Sequence, residues 1–160
     1  MATPYAIYFK KMKDNASVVD TLDNWDIVCK DFPFKLYGDA KELPVRNWKD
    51  QDGDDEYIPS VLPIEAYEME VEFAYKGDMN SANEKIREFL DYLTGRDGTG
   101  AEFSVYDTYT RIGRQHVRYV GVEEDVFFRG KKSSTYGYDV VVFVVKMKVN
   151  DPVTDITLKK

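Results

Sequence analysis

The sequence predicts an α+β domain, mainly an antiparallel β-sandwich or split barrel with one packed α-helix at about residues 82–94. Three observations carry this expectation. "YEMEVEFAY" (67–75) alternates apolar and acidic side chains, as a half-buried strand does. "YDVVVFVVKMKV" (138–149) is apolar enough for a central strand. Between them, "ANEKIREFLDYLT" keeps its apolar residues at helical spacing. Strong strands flanking one helix, with further strands after it, suit an antiparallel sheet with a helix over its open side.

The elements follow in chain order. "AIYFK" (6–10) is a short candidate strand, and "SVVDTL" (17–22) a candidate helical turn. Residues 1–24 are otherwise polar and are expected to form an extended N-terminal arm. The core is then expected at 25–158, within a single domain of residues 1–160. "WDIVCKDFPFKLYG" (25–38) loses regularity at "FPF", since proline cannot donate to a ladder. Residues 39–63 read as loop, with Gly, Pro and Asp close together.

In the 64–75 run, Tyr67, Met69, Val71, Phe73 and Tyr75 share one face, and Glu68, Glu70 and Glu72 the other. For the helix, Ser81 followed by Glu84 fits a capping box. Ala82, Ile86, Phe89, Leu90 and Leu93 make one apolar stripe, and Gly95 supplies a left-handed stop. "AEFSVYD" (101–107) and "HVRYVGV" (116–122) read as strands joined by a polar link. In the last long strand Val141, Phe143, Val145, Met147 and Val149 form a dry face. The other face passes from Tyr138, Val140, Val142 and Val144 to Lys146 and Lys148. "NDP" (150–152) is a turn and "ITL" (156–158) a candidate last strand.

A chain of 160 residues can bury roughly 70% of the surface it exposes when unfolded, enough for a full core without cross-links. The lone Cys29 excludes an internal disulfide; it reads as a small core residue in a protein made under reducing conditions. No charged-then-apolar leader is visible, and no apolar run approaches the ~20 residues of a membrane span. A net charge of −7 opposes binding to nucleic-acid phosphates. "YFKKMK" (8–13) and "FFRGKKSS" (127–134) are short and read as solvated loops, so no specific nucleic-acid binding is expected. Twelve tyrosines and nine phenylalanines suit sheets and protein interfaces.

Little in the chain reads as catalysis. "WKDQDGDDEYIP" (48–59) packs Asp50, Asp52, Asp54, Asp55 and Glu56 into one short stretch. Counted from Asp50 as a calcium loop, the glycine falls at position four instead of six, and position twelve is Val61. A tight Asp-Gly turn with solvated carboxylates is expected instead. Glu68, Glu70 and Glu72 form a row of like charges with no apolar pocket to separate their pKa values. His116 is the only histidine, so no ordinary zinc set exists, and no motif frames a Cys29–His116 pair. "TGRDGTG" (94–100) follows a helix and lacks the lysine-serine ending of a phosphate loop. No enzyme, cofactor or metal is expected.

The order of features carries a resemblance. A loop with Trp48 and "DGDDEYIP" precedes the strand "YEMEVEFAY" and the helix "ANEKIREFLDYLTG". "AEFSVYD", the tyrosine- and arginine-bearing "TRIGRQHVRYVGV" and a long apolar strand closing in "VNDP" follow. Over residues 25–158 this pattern resembles the N-terminal ring domain of the distal tail proteins of long-tailed bacteriophages, which shares the tail-tube fold. The resemblance implies a structural phage or prophage tail component of distal-tail, tube or connector type. Such a component assembles into a homo-oligomeric, six-fold ring in the DNA conduit or at the tail–baseplate junction. It also implies other tail or baseplate proteins as partners, synthesis in the bacterial cytoplasm and residence in the virion tail.

Under that resemblance, Tyr109, Phe127, Phe128 and Tyr136 in loops 107–115 and 127–137 are candidate interface residues. Folding back onto the core is their alternative reading. Glu68, Glu70 and Glu72 are the candidate channel-facing row. The competing function is a monomeric protein- or carbohydrate-binding module using the acidic turn 50–56 and the aromatic loops.

Overall fold

A computed structural model describes residues 6–78, 80–127 and 141–160. Chain order is β1 (Ile7–Lys11), β2 (Val19–Asp20), α1 (Thr21–Trp25), β3 (Ile27–Asp31), β4 (Val45–Arg46), β5 (Asp55–Glu56) and β6 (Tyr67–Tyr75). Then come α2 (Ala82–Thr94), β7 (Glu102–Asp107), β8 (Gly113–Phe127) and β9 (Val141–Val149). Seven strands form one sheet in the order β2-β1-β7-β8-β9-β6-β3, and every pairing in it is antiparallel. β4 and β5 pair only with each other. The fold is therefore α+β and mainly antiparallel, with α2 spanning the expected residues.

The two runs that predict the fold are neighbours in it. β6 and β9 pair along their whole length, from Tyr67↔Val149 to Tyr75↔Val141. Because side chains alternate across a strand, this register puts both apolar sets on one face. Met69, Val71, Phe73, Val145, Met147 and Val149 are all buried there. α2 lays its stripe against them: Ala82, Ile86, Phe89 and Leu93 are buried, and so is Tyr92, which the stripe read from sequence omits. Phe89 is the hub. Its ring centroid lies 5.1 Å from Phe73, 5.2 Å from Trp25, 5.9 Å from Phe9 and 6.2 Å from Phe143. Tilted and edge-on aromatic pairs of this kind each add about 0.5–1.5 kcal/mol beyond their buried area.

The N-terminal stretch departs from expectation. The candidate strand at 6–10 is present as β1 (residues 7–11), but instead of belonging to an extended arm it is held between β2 and β7, with Ile7 opposite Asp107 and Lys11 opposite Phe103. Alternation explains it: Ile7 and Phe9 have no exposed surface and complete the core. The helical turn begins later than "SVVDTL" suggests, because Asp20 caps it, accepting the Leu22 N–H at 2.8 Å. A second helix, α1, thus joins the one expected.

Other local signals divide. Gly95 ends α2 at φ +80°, with the Arg96 N–H on the Asp91 carbonyl at 3.0 Å. A Cβ there would stand 2.8 Å from the Gly100 backbone, so glycine is required twice over. The capping box does not form. Ser81 sits at φ −104°, ψ 0° and makes no side-chain cap bond, while Asp78 Oδ1 takes the Asn80 N–H at 3.0 Å. "ITL" forms no strand; Ile156 returns one backbone bond to the Gly113 carbonyl, at 3.4 Å. "FPF" ends β3 as expected, and Phe32 and Phe34 stack at 4.2 Å. Tyr138, Val140 and the basic cluster from residue 128 onward lie outside the described residues.

Candidate functional site

From residue 33 to residue 66 the chain contains no buried residue. Where the sequence suggests a loop, this stretch is a two-legged arm between β3 and β6. The legs are joined at the base by the Ala40↔Ile64 bridge and by bonds from Lys41 N–H to Pro63 O and from Glu65 N–H to Asp39 O, both 2.8 Å. Further out, Val45 pairs with Glu56 and Arg46 with Asp55. The acidic stretch is the tip, and Gly53 turns it at φ +72°, as the Asp-Gly reading requires. Trp48 donates from Nε1 to Asp55 Oδ2 at 3.4 Å, and the Arg46 guanidinium lies 5.6 Å from its ring.

The arm is unusually apolar for a segment in water. Of the twelve large hydrophobic residues exposed among those described, eight lie on it, including Leu36, Tyr37, Trp48, Tyr57, Ile58 and Val61. Val61 is 79% exposed and Leu36 81%. A two-stranded hairpin is marginal in water without a third strand or a packed partner, and clustered exposed apolar surface marks an interaction face. Sequence reasoning missed this because two-residue strands carry no measurable period.

Glu68, Glu70 and Glu72 do lie on the wet face of β6, but lysines interleave them. Register places Glu68 opposite Lys148 and Glu70 opposite Lys146. Lys146 Nζ reaches Glu68 at 3.5 Å and Glu123 at 3.9 Å, and Lys30 Nζ reaches Glu72 at 3.3 Å. The face is a lattice of alternating charge, whose exposed pairs are each worth about 0–1 kcal/mol.

Tyr109 stands 73% exposed on the β7–β8 turn and is not folded into the core. Asp107 organises that turn, accepting the Tyr109 N–H and the Thr110 hydroxyl at 3.0 Å each. Tyr109 also lines a cleft of about 480 Å³ with Cys29, Asp31, Phe32 and Asp107, between the end of β3 and the β7–β8 turn. Burial, then the Asp107 and Asp31 carboxylates, push the Cys29 thiol well above its ordinary range, so it is not a nucleophile at neutral pH. His116 lies elsewhere, with Nδ1 3.2 Å from Glu102. Phe127 ends β8 opposite Val141; Phe128 and Tyr136 lie outside the described residues.

Two buried cations tie the sheet together. Lys11, read from sequence as part of a solvated basic loop, is only 4% exposed. Its amine donates to the Tyr92 carbonyl at the end of α2 and to the Gly100 carbonyl at 2.6 Å, and sits 4.1 Å from the Tyr92 ring centroid. A cation there complements the carbonyl end of a helix. Desolvation lowers its pKa to about 8, opposed by Asp97. Arg114, equally hidden at the start of β8, donates to Gly113 O, to Asp155 and, at 3.0 Å, to Lys35 O. It fastens the segment leaving β3 and the C-terminal segment to one point. No periodicity announces either residue, since each takes partners remote in sequence: Tyr92 and Gly100 for Lys11, Lys35 and Asp155 for Arg114.

Among the described residues no group of three or more His, Cys, Asp or Glu side chains is placed to hold a metal ion. No helix among them is long and apolar enough to cross a membrane. No family model matches the chain, and no curated protein matches it.

Proposed function

We propose that this protein is a structural subunit that works by assembling with copies of itself. On the sequence resemblance, it is a phage or prophage tail component of distal-tail, tube or connector type, forming a ring in the conduit or at the tail–baseplate junction. The carrying observation is the arm of residues 33–66, which exposes eight large hydrophobic side chains and buries none. Covering such a surface is how a subunit gains a stable contact, on the order of 800 Å² per partner. In this reading the work is geometric and no bond is made or broken. Glu68, Glu70 and Glu72, with their interleaved lysines, offer a charged but nearly balanced face to whatever passes a ring.

Light scattering over a range of concentrations, with electron microscopy of the largest species, tests the proposal. Growth from monomer to a closed ring of about six copies, the number the resemblance implies, is expected. A species that stays monomeric when concentrated removes the reading.

A binding module is the second reading. A cleft of about 510 Å³ beside the arm's paired legs, lined by Pro44, Val45, Arg46, Tyr57 and Ile58, favours it. Saturable quenching of Trp48 by a soluble glycan or peptide, in protein that remains monomeric, would select it.

A further inference from the structure

We infer that the arm of one copy docks, through its acidic and aromatic tip, in a basic and apolar groove on the next copy. The inference rests on the self-assembly reading and assigns the surfaces that such an assembly would join.

The groove has a volume of about 650 Å³ and lies on the outer side of β1, β7 and β8, bounded by the C-terminal segment. Lys10 and Lys13 supply its charge, and Met12, Ile156 and Leu158 its apolar floor. Asp14 is the single carboxylate among its lining residues. Neither Lys10 nor Lys13 has an ion-pair partner among the described residues. Met12 is 36% exposed, and a thioether suits contact with an aromatic ring.

The arm tip is the complement. Asp50, Asp52, Asp54, Asp55 and Glu56 outnumber Arg46 and Lys49, and none of the five carboxylates forms an ion pair among the described residues. Trp48 and Tyr57 flank them, 44% and 68% exposed. Acid and aromatic on one surface thus face base, thioether and aliphatic on the other. Opposite potentials of this kind select a partner and its register.

The chain's own arm does not fill this groove. Registered residues Tyr67, Val149, Val117, Phe103 and Lys11 run across the sheet at one end. The arm joins β6 at that end, and the groove opens there at β1, four strands along the sheet. No arm residue lines the groove. Two different surfaces meeting head to tail repeat until the rotation closes, which gives a ring, or fails to close, which gives a filament.

Thiol pairing between copies tests the contact. Cys29 is buried, so Asp52→Cys and Lys13→Cys proteins each carry one accessible thiol. Mixed and mildly oxidised at high concentration, they are expected to form the mixed disulfide several-fold more than Asp52→Cys mixed with Glu70→Cys, whose thiol lies on the wet face of β6. Lys10→Glu with Lys13→Glu should weaken self-association about tenfold or more, and Asp52→Lys with Asp54→Lys in the added copy should recover it. A mixed disulfide no more abundant than the control overturns the docking. So does a disulfide closing within one chain when both cysteines are placed together at high dilution. Rings formed by unaltered protein without the Asp52–Lys13 link would remove this contact and leave self-assembly standing. Monomer throughout with no link would remove both.

Discussion

Phe89 and Trp48 are both large aromatic residues, and the protein treats them in opposite ways. Phe89 has no exposed surface and touches four other rings. Trp48 keeps nearly half of its surface in water on an arm with no buried residue. The first belongs to a region where every apolar side chain has a partner within the chain. The second belongs to one where the partners are missing. A sequence that can build the first region has no difficulty covering a hydrophobic residue, and under the proposed self-assembly the bare arm is what this fold presents to another copy.

Substitutions can break this contrast, and the largest effect belongs to the core. Phe89→Ala is expected to cost about 3–5 kcal/mol, read as a lowered midpoint in urea with the slope preserved. A loss below about 1 kcal/mol would mean that the aromatic cluster is not the centre of stability. Gly95→Ala comes next, at about 1–2 kcal/mol, because alanine must hold the left-handed conformation while its Cβ presses on the Gly100 backbone. The same denaturation measurement checks it.

Lys11 gives a smaller, pH-dependent signature. Its folded pKa is lowered to about 8 from 10.5, so between those values the unfolded chain holds more protons than the folded one. Stability therefore rises with pH through that window. The gain should be visible between about pH 8 and pH 10 and be absent in Lys11→Met. A decline over the same window in the unaltered protein, or a rise that survives the substitution, would contradict the buried amine.

The smallest effect sharpens the contrast from the other side. Trp48→Ala and Tyr57→Ala should change the monomer's unfolding free energy by no more than about 0.5 kcal/mol, since both side chains are exposed and neither belongs to the core. A loss of several kcal/mol from either would show that the arm contributes to the core.

What was legible in the sequence follows the same division. α2, β6 and β9 could be read because each buries one face over nine or more residues, and burial imposes a period. Gly53 and Gly95 could be read because a positive φ restricts the choice of residue. The place of β1 could not, since five residues specify a strand but not which neighbour it joins. The wet face of the glutamates was plain from alternation; the lysines between them come from β9 and β3, and only the register brings them together. Lys11 and Arg114 were hidden for a related reason. Their partners are backbone carbonyls, which carry no sequence signature, and for Arg114 also a carboxylate, Asp155, 41 residues away. The capping box failed although its motif is intact, because Ser81 holds a helical conformation and already donates its N–H to the Asp78 carbonyl at 3.0 Å, the donor that Glu84 would have taken.

The pairing of β1 with β7 has a consequence for how the molecule is made. Ile7 leaves the ribosome a hundred residues before its partner Asp107, so one edge of the earliest strand stays unmatched while most of the chain is synthesised. The local hairpin with β2 satisfies only the other edge, and a nascent chain halted before β7 would hold Ile7 and Phe9 without the long-range neighbour that completes their cover. Chaperone capture of nascent chains should therefore fall sharply once residues 102–107 have emerged.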